Sequence, residues 1–129
     1  MTVHLRLDDL LVIEQGLGSP GIRDVGLLES ALARPQATAF GDEVYPTLVQ
    51  QAAALTHSLV TSHALVDGNK RLALVALRLF LGMNDHDLVA TQDEKFDLIM
   101  RIAGGTLRDV NDIAARIGAF LVGPLESGG

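Results

Sequence analysis

Cysteine is absent from this 129-residue chain, and so is tryptophan. The first absence excludes disulfides, cysteine-based zinc sites and thiol nucleophiles. The second, with one Tyr and only four Phe, leaves a core to be built from aliphatic side chains. Long apolar runs are missing too. Leu72 to Leu77 is stopped by Arg78, well short of the roughly 18 residues of a membrane span. Nor is there an excess of positive charge: ten Lys and Arg face sixteen Asp and Glu, a formal net charge of −6. A nucleic-acid partner calls for a broad basic face, so none is expected. A nucleotide needs only a local cluster. Residues Met1 to Asp9 lack the apolar centre of a signal peptide and meet acid early. The expectation is a cytoplasmic protein that does not associate with membranes.

What is present is aliphatic and helically spaced. The 48% hydrophobic fraction supports a real core. The length suits one domain, expected over residues 1–125, followed by a disordered tail at 126–129. Leu7 to Gln15 reads as a short amphipathic helix ended by Gly16 to Gly21. Asp24 suits an N-cap, with Leu27, Leu28, Ala31 and Leu32 on one stripe before Pro35. Phe40 to Tyr45 reads as a loop, with room for a brief extended pair. Pro46 fits the first turn of a third helix running to about Ser62. A fourth helix should span Asn69 to Met83. It is apolar all round beyond Lys70 apart from Arg71 and Arg78, a pattern that predicts burial on every side. Gly82 to Ala90 reads as a turn-like connection. Thr91 and Glu94 form a capping box for a fifth helix, stopped by Gly104-Gly105, and Leu107 to Val122 completes the set. The fold class is all-α, a bundle of about six helices.

Chemistry concentrates in His63-Ala64-Leu65-Val66-Asp67-Gly68-Asn69-Lys70-Arg71. An imidazole is followed by a carboxylate, a Gly-Asn turn and two cations, just where a helix begins. Free backbone N–H groups at a helix N-terminus, backed by fixed positive charge, make an anion site. Lys70 and Arg71 oppose the helix macrodipole, at a typical cost of about 0.3–1 kcal/mol each. A bound anion would repay that cost. His63 adds a base for a hydroxyl, and Asp67 a ligand for a divalent metal. Read separately, these residues are a histidine at a helix C-terminus, a turn and a solvated first turn; together they point to phosphate or nucleotide transfer. His4, His57 and His86 show no metal-ligand spacing. Arg78 falls on nearly the same helical face as Arg71, where it either lines the same groove or serves the surface.

His63 to Arg71 resembles the Fic/Doc signature, usually written His-Pro-Phe-x-(Asp/Glu)-Gly-Asn-(Gly/Lys)-Arg, and Lys70 resembles its Doc, or death-on-curing, branch. Arg23 to Pro35 and Tyr45-Pro46-Thr47 are also similar to Doc-like stretches. The resemblance implies an all-helical fold and a toxin neutralised by a small antitoxin protein. It implies transfer of the γ-phosphate of ATP, with Mg2+, to a threonine of elongation factor Tu. By position, His63 would be the general base and Asp67 the Mg2+ ligand. Gly68, Asn69, Lys70 and Arg71 would cradle the phosphates, with Lys70 and Arg71 stabilising the transferring group. Ala64-Leu65 replaces the usual Pro-Phe, and Leu72 a common threonine. AMP-transferring relatives carry glycine at the position of Lys70 and a second arginine at that of Leu74. Two alternatives remain alongside the kinase: AMP transfer to a protein hydroxyl, and a weakened family member that only binds.

Overall fold

Two helices form the centre of the structure, a computed structural model describing residues 1–123. They are α3 (Leu48–Thr61) and α4 (Asn69–Met83). Around them the chain places α1 (Leu7–Gly16), α2 (Val25–Ala33), a 3₁₀ turn (Arg34–Gln36), β1 (Thr38–Ala39) and β2 (Asp42–Glu43). After α4 come β3 (Asp87–Leu88), α5 (Gln92–Gly104), α6 (Val110–Phe120) and β4 (Leu121–Val122). The fold is therefore mostly helical, as the spacing of apolar residues predicts, with two small antiparallel ladders, β1 with β2 and β3 with β4. The tail expected at 126–129 lies outside the described residues.

α3 holds its central place because small side chains let neighbours approach. Ala52, Ala53 and Ala54 are fully buried beside Leu55 and Leu59. The helix packs against α2, α4, α5 and α6. Thr47 caps it, accepting from Gln50 N at 3.2 Å, while Gln50 Oε1 accepts from Thr47 N at 3.1 Å. Pro46 accordingly lies before the cap and not in the first turn. Thr91 and Glu94 form the reciprocal box expected at α5, and Asp24 caps α2 by accepting from Leu27 N.

Elsewhere, too, the structure departs from expectation. α4 is not buried all round: Leu72, Ala73, Ala76, Leu77, Phe80 and Leu81 face the core, while Val75 and Leu79 share a solvated face with Arg71 and Arg78. α6 starts at Val110, because Asp109 caps it by accepting from Asn111 N and Asp112 N. Its last expected residues, Leu121 and Val122, leave the helix to pair with Leu88 and Asp87. That pairing also puts a strand inside the connection expected at Gly82 to Ala90. The segment around Phe40 does contain a brief extended pair, Thr38 opposite Glu43.

Candidate active site

The α3–α4 connection is short, and its backbone is tied on both sides. His63, one residue past the α3 C-cap, takes a left-handed backbone with φ +56°. Histidine is among the few non-glycine residues that visit this region with any frequency. The conformation turns the chain sharply out of α3. Ala64 and Leu65 then drop into the core at 1% and 0% exposure. Leu65, standing where the resembling motif usually has phenylalanine, thus fills a position in the core.

The segment before α2 acts as a strap. Arg23 N and Asp24 N donate to Ala64 O at 2.7 and 3.0 Å, and Val66 N donates to Gly21 O at 3.0 Å. From the other side Asn69 closes on Leu65. Its Oδ1 accepts from Leu65 N at 2.9 Å and its Nδ2 donates to Leu65 O at 3.1 Å. The Asn69 amide is therefore spent on shaping the loop, and what this residue can offer an anion is its backbone N–H.

Gly68 is the N-cap of α4 with φ +93°, and no side chain caps the helix. A Cβ there would stand 3.5 Å from Arg71 Nη2, an ordinary contact. Backbone conformation, not space, is what calls for glycine. Among the described residues nothing accepts from the N–H groups of Asn69, Lys70 or Arg71, whereas Leu72 N is already bonded to Gly68 O at 2.9 Å. Three adjacent unsatisfied donors at a helix N-terminus, with two cations, are the parts of an anion cradle. Asp67 Oδ1 accepts from Gly68 N at 2.8 Å, which leaves Oδ2 for a cation. No group of three metal-ligating side chains exists among the described residues. Any Mg2+ at Asp67 would thus complete its shell from phosphate oxygens and water, as this hard, strongly hydrated ion commonly does.

All six residues singled out in the sequence line one cavity of about 850 Å³. His63, Asp67, Lys70 and Arg71 are exposed to solvent, and Gly68 and Asn69 are half-buried. The opposite wall comes from α5, through Gln92, Phe96, Ile99, Met100 and Ala103. Sequence reading missed that wall. A signal existed: Phe96 and Met100, four residues apart, lie outside the buried stripe of α5 at 66% and 40% exposure. Arg78 is not among the cavity's lining residues.

A helical bundle that brings an imidazole, a carboxylate and an uncapped cationic helix N-terminus to one cavity holds the parts that phosphate or nucleotide transfer calls for. The chain belongs to the Fic/Doc family, whose sequence profile matches residues 4–81. It is 44% identical over 125 residues to Toxin Doc of Mycolicibacterium smegmatis, covering 93% of this chain and 95% of that protein. Members of the family are enzymes that transfer phosphate or nucleotide groups. No helix among the described residues is long and apolar enough to cross a membrane.

Proposed function

We propose that the chain is the toxin of a toxin–antitoxin pair and a protein kinase, moving the γ-phosphate of ATP to a threonine of elongation factor Tu. The observation that carries this reading is the pairing of His63 with the uncapped N-terminus of α4 across one cavity. The likeness to Toxin Doc over nearly the whole chain supports it.

Each residue then has a definite task. Gly68 opens the cradle. The N–H groups of Asn69, Lys70 and Arg71 receive phosphate oxygens, and Asn69 keeps the loop in shape through Leu65. Lys70 and Arg71 place positive charge where the transferring group gains negative charge. Positioning and charge of this kind account for most catalysis in phosphoryl transfer. Asp67 would hold Mg2+, which would supply positive charge against the phosphates. His63 accepts the proton of the threonine hydroxyl.

Two features favour the kinase over AMP transfer: Lys70 fills the place of a glycine, and Leu74 stands where AMP-transferring relatives have a second arginine. Both alter the region that would hold inner phosphates. The buried Leu65, at 0% exposure, favours an ordered site over a weakened one that only binds. Incubation with ATP, Mg2+ and elongation factor Tu should add the mass of one phosphate to a threonine of the factor. An unchanged factor, beside an active Doc toxin as control, would remove this assignment. In cells, a small antitoxin protein should relieve growth arrest.

A further inference from the structure

A second cavity, of about 340 Å³, lies against the other side of α3 and shares only Thr61 with the lining of the first. Its walls include Arg34, His57 and the hydroxyl residues Ser30, Ser58 and Ser62, with no carboxylate. Arg34, at the end of α2, is half-buried. Its Nη1 reaches His57 Nδ1 at 2.8 Å, Ser58 Oγ at 3.0 Å and Ala54 O at 3.5 Å. Its Nε donates to the Tyr45 hydroxyl at 3.3 Å, and the guanidinium sits 5.8 Å from the Tyr45 ring centre.

No carboxylate pairs with Arg34; the ion pairs among the described residues are those of Asp97 with Arg101 and Arg116. A partly desolvated guanidinium without a counter-ion is an expensive arrangement unless something supplies the negative charge. The remaining polar groups can each donate. A guanidinium cannot accept, so His57 Nδ1 must, and the neutral ring carries its proton on Nε2. Burial first, and the Arg34 charge second, hold that ring below its ordinary pKa. Arg34 Nη2 has no partner among the described residues. The cavity thus offers positive charge, unfilled donors and volume for a small ion with a few waters.

We propose that this cavity binds a tetrahedral oxyanion of the phosphate class, separately from the motif cradle. Arg34 supplies the charge, and His57 Nε2–H and the Ser58 hydroxyl supply further hydrogen bonds. The proposal does not rest on the kinase assignment.

The test is an NMR titration of the imidazole resonances of the full chain with inorganic phosphate at constant ionic strength. His57 should show a saturable shift, and its titration midpoint should rise, because the anion offsets the Arg34 charge. Arg34→Gln should weaken the response about tenfold or more, as expected for a lost charge-assisted contact. Should that variant fail to fold, Ser30→Glu decides the matter. Ser30 is exposed on α2, so the fold should persist while the new carboxylate repels the ion and abolishes the response. Lys70→Ala should leave the His57 response intact. A wild-type His57 that ignores phosphate would overturn the proposal. So would a response undiminished in Ser30→Glu, or one lost with Lys70→Ala.

Discussion

The Asn69 side chain and the Leu65 backbone bond reciprocally, at 2.9 Å through Oδ1 and 3.1 Å through Nδ2. One amide thereby fixes the loop that carries His63 relative to the helix that carries Lys70 and Arg71. Asn69→Asp keeps the shape but replaces the donor with an oxygen facing Leu65 O. Loss of a half-buried hydrogen bond with an unpaired acceptor left behind typically costs about 1–3 kcal/mol. Thermal unfolding should show a destabilisation of that order, and phosphate transfer should fall more steeply than stability. Full activity in Asn69→Asp would mean that the loop is not held through this amide.

Leu65 is completely buried, so restoring the phenylalanine usual in the family is not a neutral change. The structure leaves no solvent-accessible room at this side chain, and overpacking typically costs about 1–3 kcal/mol. Leu65→Phe should lower the urea midpoint. An unchanged midpoint would show that the loop can open to admit the ring.

His63→Ala should abolish growth arrest and leave the fold intact, because the histidine is exposed and outside the core. The left-handed backbone at this position is a strain that the wild type already carries and that alanine inherits. Circular dichroism and growth of cells at matched expression would check both halves. Persisting toxicity in a folded variant would remove His63 from the mechanism.

Acid should destabilise the fold through His57 and His4. Burial first, then Arg34, lowers the His57 pKa from 6.5; burial lowers that of His4, with Glu43 partly offsetting it. The unfolded chain therefore takes up protons before the folded one as pH falls. This part of the stability is complete above the unfolded value of 6.5, and is lost as pH drops through it toward the lower folded values. Urea midpoints measured across that range should fall on acidification. His57→Gln, which retains an acceptor for Arg34, should flatten the dependence. An identical slope in the variant would assign it elsewhere.

The motif, the six helices and two of the caps were legible because each depends on neighbours in sequence: Thr91 on Glu94 and Asp24 on Leu27. What was not legible depends on distant residues. The strap from Gly21 to Asp24 onto Ala64 and Val66 is backbone bonding that leaves no side-chain trace. β3 and β4 are two residues each, too short for a visible alternation, and they form only because Leu88 meets Leu121. The solvated face of α4 carries Val75 and Leu79, which by composition alone look like core. Within the site, the Asn69 side chain serves the loop and leaves its backbone N–H for an anion, a division that depends on Leu65 lying beside it.

The reaction class is tested most directly by ATP labelled at either the γ- or the α-phosphate, incubated with the chain, Mg2+ and a bacterial extract. Lys70 and Leu74, in place of a glycine and an arginine, should seat the nucleotide with its terminal phosphate toward His63. The account predicts label from γ-labelled ATP only, on a threonine of elongation factor Tu, and none with His63→Ala. Label arriving from the α position would contradict it in favour of AMP transfer, and no label from either would leave a binding protein in place of an enzyme.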